Sequence, residues 1–527
     1  MKILYFLPLL LLLLSTFTTA HRILTLLLVA GRSNMNYFDP IHYELAKKGH
    51  QITVISPTPG LVKHPNIKEL PGLDFSKMVQ GMIKEETFFE MRLAGERMAS
   101  PFLIEKFTRD CDAFHQLPSI QKIIKDQENK AENQFDLVMT MAFMNECVYG
   151  LFHHLNASSV IISTVPAVPW IAGITGAPTI LSFVPDPYFI GVTEMNFFER
   201  LRNFGALSYQ IFTRDLIYLP VMEETYQKYI PNAPNFHEIA KNVSLVLGAG
   251  HPSFGPLRPT MPDLIDDIGG LHCRPANPLP KEINQLILNE KGEPQDFIFF
   301  SLGSIVQGHQ LPDSIRNAIL KTFGKFQNYK ILWKWEVELN KTEEILQNVK
   351  TSKWFPQQDV LGHPNCKLFI THGGLSSLHE SIYHGVPVIG IPFFGDQDWN
   401  VAQVEYYGIG LKLELTDITE GALTTKIEEV LTNPRYREEV KRRSILFKDR
   451  QNSPLEKSVW SIEYVLRHGG APHLRSPARN LGYLQYYCVD IILFIFVSFL
   501  ITLYAISFSL RKIVSCMFST PTKKKSE

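Results

Sequence analysis

The sequence predicts an α/β protein of two doubly wound domains with parallel sheets, followed by one membrane-crossing helix. Three observations predict it. Short apolar runs alternate with segments of helical period along most of the 527 residues, the pattern of successive β-α-β units. A proline-rich passage, Pro275, Pro278 and Pro280 after Gly269-Gly270, splits the alternation into two series. Near the end, Ile491 to Leu510 is a 20-residue run without a charge, long enough to span a bilayer. Formal charge is balanced at +0, so nothing argues for a nucleic-acid partner.

Taken in order, Met1-Lys2 and the leucine-rich run through Leu14 lead to small residues at Thr18-Thr19-Ala20. This reads as a signal peptide over residues 1–20, the other reading being an uncleaved anchor. Arg22 to Val29 is strand-like. Asn36 to Lys48 has helical spacing, with Phe38, Ile41 and Leu45 on one face, and Gln51 to Ser56 is the next strand. Phe135 to Met139, Val160 to Ser163 and Thr179 to Phe183 are expected as further strands of a domain over 21–275. Trp170 to Ile190 and Leu201 to Leu219 are apolar. They read either as an acceptor pocket lying against a membrane or as ordinary packing. In the second domain, 276–470, Lys281 to Asn289 is helical, Phe297 to Ser301 and Lys330 to Trp335 are strands, and Pro312 to Phe326 is a helix. Ile427 to Leu446 is a charged helical stretch broken at Pro434.

The apolar span, 491–510, precedes a basic tail, 511–527, with Arg511, Lys512 and Lys523 to Lys525. Basic residues stay cytosolic, so the expectation is a single-pass type I protein with both domains lumenal. The ending Lys524-Lys525-Ser526-Glu527 resembles a dilysine signal returning membrane proteins to the endoplasmic reticulum; a basic stretch held near anionic lipid is the other reading. Asn156, Asn242 and Asn340 begin N-x-S/T sequons on the lumenal side. The lumenal cysteines Cys111, Cys147, Cys273 and Cys366 have no metal-like spacing. Their compartment permits disulfides, but buried free thiols are the expectation.

The most informative stretch runs from Trp354 to Asp398. An apolar run, Leu368 to Ile370, ends at Thr371-His372-Gly373-Gly374, where a helix begins. Free N–H groups and the positive helix end there make an anion site. A second apolar run, Val386 to Phe394, ends in Gly395-Asp396-Gln397, which supplies groups for hydroxyls. With the aromatic plate of Trp354, these describe a nucleotide-sugar pocket.

This stretch resembles the donor-binding signature of the UDP-glycosyltransferases, the UDP-glucuronosyltransferase-like family. The resemblance implies a GT-B architecture, two Rossmann-like domains facing a cleft, with Pro454 to Arg467 packing back across the first domain. It implies that Trp354 stacks on uracil, that Gln357 contacts the nucleoside, and that Glu380 accepts bonds from the ribose hydroxyls. His372, Gly373 and Gly374 would hold the diphosphate, with Ser376 where many relatives carry asparagine. Ser304, in Ser301-Leu302-Gly303-Ser304, would be a second phosphate contact, and Asp396 and Gln397 would grip the sugar. Asp396-Gln397-Asp398 imitates a D-x-D metal motif, but the resemblance implies chemistry without metal or other cofactor.

The catalytic pair departs from the family. Aligned on Gly31-Arg32-Ser33-Asn34, the family's base, a histidine, is replaced by Asn34. Aligned on Phe135 to Met141, its orienting aspartate is replaced by Met141. Neither can take a proton from an acceptor hydroxyl. His42 lies two helical turns away, roughly 12 Å along the axis, and Glu146 and His153-His154 follow the Met141 strand.

The leading expectation is a glycosyltransferase of the endoplasmic reticulum membrane. It would move glucose or glucuronate from UDP-glucose or UDP-glucuronate to a small lipophilic acceptor. Three outcomes of the lost pair stand open: acceptors such as amines that need little base, slow turnover of hydroxyls, or binding of UDP-sugar or a lipophile without turnover in a silent, partner-regulating member. The single span and broad apolar surface permit homo- or hetero-oligomers.

Overall fold

The computed structural model describes residues 20–80, 87–94, 101–129, 134–186, 194–337 and 346–518. Most of the signal peptide, Asn340 and the tail beyond 518 lie outside the described residues. Two parallel sheets form the body of the chain. The first runs in the order β3-β2-β1-β4-β5-β6-β7, with β1 Arg22–Leu26, β2 Gln51–Ser56, β3 Ile67–Pro71, β4 Leu137–Met141, β5 Ser158–Ser163, β6 Leu245–Gly248 and β7 Leu264–Ile265. The second runs β10-β9-β8-β11-β12-β13, with β8 Phe297–Ser301, β9 Lys330–Lys334, β10 Val349–Ser352, β11 Cys366–Thr371, β12 Val388–Gly390 and β13 Gly410–Lys412.

Each sheet reverses direction once, between β1 and β4 and between β8 and β11. Crevices at such switch points are where open parallel sheets bind ligands. The central strands are continuous apolar runs because both faces are covered: β4 and β8 are buried at every position. One apolar cluster joins the sheets, with Ile23, Leu27 and Tyr37 of the first lobe in the same core as Phe297, Phe369 and Leu378 of the second.

The helix Pro454–Arg467 returns to the first lobe, as the sequence suggested, against the helix Arg32–Lys47 and strands β5 and β6. Its Glu463 accepts a 2.7 Å bond from Lys48. Ser453 opens it with a reciprocal capping pair to Glu456. Pro434 separates the helices Glu420–Thr432 and Pro434–Lys448, with Asn433 capping the second.

One expectation fails. Thr179 to Phe183 is not a strand: it lies between Pro178 and Pro185, and its backbone turns so that Ile180 O accepts from Val184 N. The strand beside β5 is instead Leu245–Gly248, which the sequence reading passed over. Leu201 to Leu219 is two-sided. It runs from the helix Phe197–Thr213 through the wide turn Arg214–Tyr218 to the start of the next helix; Leu207 and Leu219 are buried, while Phe204, Phe212 and Leu216 are more than half exposed.

Ser476–Glu527 forms a separate unit. Its helix Val489–Phe518 has a mean hydropathy of 2.6 over its most apolar 18 residues and no buried residue. At 30 residues it is long and apolar enough to cross a membrane, and it extends the expected span at both ends.

Candidate active site

Both switch points open onto one cavity of about 600 Å³. From the first sheet come the turn after β1, including Asn34, and the end of β4, Met141. From the second come the turn after β8 with Ser304 and the β11 turn with His372, Gly374 and Ser376. Trp354, Gln357, Glu380, Asp396 and Gln397 complete the second-lobe wall. Of the residues the sequence singled out for the donor, only Gly373 does not line it. Its φ is +82° and a side chain there would strike Val401, so it serves the turn rather than a surface.

The β11 turn is shaped by sterics. Gly303 and Gly374 lie flat against the His372 imidazole, and a Cβ on either would come within 2.6 or 2.5 Å of the ring. Burial, helped by the Lys334 cation, holds His372 down to about 4, so the ring is neutral at pH 7. The helix Leu375–His384 starts immediately after, presenting its N-terminus and Ser376 to the cavity.

Lys334 is a residue the sequence reading missed. It ends β9, lines the cavity, and donates to Gly303 O at 2.8 Å. It also pairs with Glu336 at 2.9 Å. Its only signal was a cation closing a buried strand, Leu332-Trp333-Lys334.

Glu380 is buried, and Gln357 Nε2 donates to it at 2.6 Å. Burial pushes its carboxyl up to about 7 against the pull of Gln357 and Arg274, so it is only part-ionised near neutrality. Trp354 stands 59% exposed in the wall, a free ring face for a flat base. Gln397 spends its amide oxygen on Phe393 N at 2.9 Å, which leaves its NH₂ facing the cavity side. Asp396 accepts from Asn400 at 2.7 Å, and burial raises its carboxyl. Asp398 does not join it: its oxygens are held by Arg92 at 2.7 and 2.8 Å, so the two aspartates do not converge on a shared point.

At the first-lobe end, Asn34 Oδ1 accepts from Gly31 N, and its Nδ2 donates to Thr164 Oγ1, both at 2.9 Å. The same Thr164 hydroxyl lies 3.9 Å from Met141 Sδ. Asn34 and Met141 therefore meet at one hydroxyl, although 107 positions separate them in the chain. Among the described first-lobe residues lining the cavity, the ionisable side chains are Arg32, paired with Asp39 at 2.5 Å, and Arg274, paired with Asp359 at 2.6 Å. None of the alternative bases reaches it. His42 is buried against Thr25 at 2.9 Å and held down to about 3 by burial. Glu146 is buried against Tyr218 and Arg214, and His154 bonds Ile124 O.

The family model described as UDP-glucoronosyl and UDP-glucosyl transferase matches residues 26–525. The chain belongs to the UDP-glycosyltransferase family. It is 33% identical to UDP-glycosyltransferase UGT5 of Dactylopius coccus, over 96% of each chain. It is 29% identical to the 2-hydroxyacylsphingosine 1-beta-galactosyltransferase of Rattus norvegicus, over 93% of this chain and 88% of the relative. In fold it resembles a Polygonum tinctorium UDP-glucosyltransferase capable of glucosylating indoxyl, with a TM-score of 0.56 at 14% identity, covering 85% of this chain and 100% of that one. This glycosyltransferase thus has the GT-B fold and takes a UDP-sugar donor, and the cavity lies between its two sheets.

Proposed function

We propose that this glycosyltransferase moves glucose or glucuronate to small lipophilic acceptors, favouring nucleophiles that need no strong base. One observation carries the reading: a single cavity joins the polar second-lobe wall to a first-lobe wall that is largely apolar and, among the described residues, supplies neither histidine nor carboxylate. Phe75, Met144, Trp170 and Ile171 give that wall its character and suit a lipophilic molecule.

In this reading Trp354 stacks on uracil while Gln357 orients Glu380 toward the ribose. Neutral His372, the bare backbone around it, Ser304 and Ser376 receive the diphosphate, and the nearby Lys334 charge and helix terminus stabilise it as it leaves. Asp396 and the Gln397 amide hold the sugar. No metal is needed for these roles. An amine with a free lone pair attacks the anomeric carbon and sheds its proton afterwards. A phenol must lose its proton during attack, and without a positioned base that costs roughly 10²–10⁴-fold.

The test is turnover of amine and phenol acceptors with radiolabelled UDP-glucose and UDP-glucuronate. UDP binding with no product from either class would favour a silent, partner-regulating member, a reading supported by Asn34 having both arms of its amide engaged. The helix Val489–Phe518 supports anchorage in the endoplasmic reticulum membrane with the cavity lumenal. The exposed sequon residues Asn156 and Asn242 test this placement, since each should carry glycan that endoglycosidase removes.

A further inference from the structure

Away from the cavity, three reactive side chains are packed together without solvent. Cys111 lies on the helix Pro101–His115 and Cys147 in the short turn Glu146–Val148 that follows β4. With His115 they are fully buried, and their sulfur and nitrogen atoms lie within 4.8 Å of one another. His115 Nδ1 donates to Cys111 O at 2.9 Å and lies 3.8 Å from Cys111 Sγ. The imidazole is clamped by stacking on Tyr229, 5.1 Å between centroids.

We propose that Cys111 and Cys147 are a redox pair that closes to a disulfide, tying the helix Pro101–His115 to the turn that supports the acceptor wall. The inference rests on the lumenal placement proposed above, since a cytosolic chain would be kept reduced.

The two sulfurs are not equivalent. Burial alone would raise both thiols. At Cys111 the neighbouring Cys147 thiol and His115 outweigh it and bring the thiol down to about 7, whereas Cys147 is pushed well up. Cys111 is thus the attacking thiolate and Cys147 the resolving thiol. In the step, Cys111 thiolate attacks one sulfur of a small disulfide of the glutathione class and expels one thiolate. Cys147 then loses its proton to solvent and attacks the Cys111 sulfur of the mixed disulfide, expelling the second. Two protein thiols are oxidised, one external disulfide is reduced to two thiols, and the protons pass to the leaving thiolates. Because the pair is sealed in the fold, exchange takes place before the helix packs down or during local opening.

The link would bear on the acceptor side. Asn145, two residues before Cys147, accepts from Leu28 N at 2.6 Å and Val29 N at 3.3 Å, fixing the segment that follows β1. Met144, one residue earlier, sits at φ 58° and lines the cavity.

The experiment uses the full chain in its native membranes, quenched with N-ethylmaleimide, then denatured and digested without reductant. A linked Cys111–Cys147 peptide that reductant abolishes is the expected result. The purified enzyme should also lose several degrees of Tm on reduction, a loss absent from a C111S/C147S variant. Recovery of both cysteines as maleimide adducts overturns the proposal. An endoglycosidase shift on the same sample then separates the causes: adducts on a glycosylated chain sink the disulfide alone, and adducts on an unglycosylated chain sink the lumenal placement with it. Stoichiometric zinc protecting both thiols until chelation would also overturn it, in favour of a Cys₂His metal site.

Discussion

Arg92 and Asp398 face each other through two parallel hydrogen bonds, 2.7 and 2.8 Å long, although 306 positions apart in sequence. Arg92 belongs to a six-residue helix, Phe88–Leu93, that leaves the first lobe's sequence and packs on the second. Phe88 stacks on Phe394 at 4.5 Å and Phe89 meets Phe393 edge-on. Asp398 follows Asp396 and Gln397 directly, so this contact braces a loop that lines the cavity and is proposed to hold the sugar.

Replacing Arg92 by methionine should therefore do two things. It leaves Asp398 buried without its two-pronged partner, with Lys412 at 3.4 Å, and removal of one partner of such a pair costs about 3–5 kcal/mol. It also frees the Gln397 loop, so KM for the donor should rise more than KM for the acceptor. Thermal unfolding and steady-state kinetics read the two effects; an unchanged Tm would show that the contact is dispensable.

Donor binding should depend on pH through Glu380. Its carboxyl, raised to about 7 by burial, accepts ribose hydroxyl hydrogen bonds best when ionised. Binding that selects the ionised form releases a proton, so affinity climbs with pH up to that value and then levels. Calorimetry with UDP should show Kd rising about tenfold per unit as pH falls below 7. Glu380→Gln should bind more weakly and lose the pH dependence.

Trp354→Ala should weaken UDP by about 1–3 kcal/mol, the usual worth of a base–aromatic stack, while Trp354→Phe keeps part of it. Equal affinity for all three proteins would move the base elsewhere in the cavity.

Reinstating the pair, Asn34→His with Met141→Asp, should raise phenol turnover by roughly 10²–10⁴-fold and leave amine turnover almost unchanged. The single Asn34→His should gain less, because only the Thr164 hydroxyl then orients the ring. A double variant with no gain on phenols would mean that these two positions do not flank the attacking oxygen.

The second-lobe wall of the cavity was legible because it is nearly contiguous. A strand, a glycine turn and a helix impose their geometry locally, and Trp354 to Gln397 touches only five elements of one lobe. Strand patterns likewise placed β2 and β8 at their observed bounds, and the family resemblance placed the helix Pro454–Arg467. What failed was a judgement set by neighbours: Thr179 to Phe183 has strand composition but prolines on both flanks. Which apolar residues of Leu201 to Leu219 turn inward, Leu207 and Leu219, and which face outward, Phe204 and Phe212, was likewise set by packing.

The order of residues by itself determined the family, the two parallel-sheet domains and the apolar C-terminal helix. Local pattern and side-chain chemistry suffice for those. Only the tertiary structure decided that Asn34 and Met141 share one threonine hydroxyl, that Lys334 stands behind His372, that Arg92 reaches Asp398, and that two distant thiols touch. Those are distances between atoms far apart in the chain, and they are set by how the sheets pack rather than by any period along it.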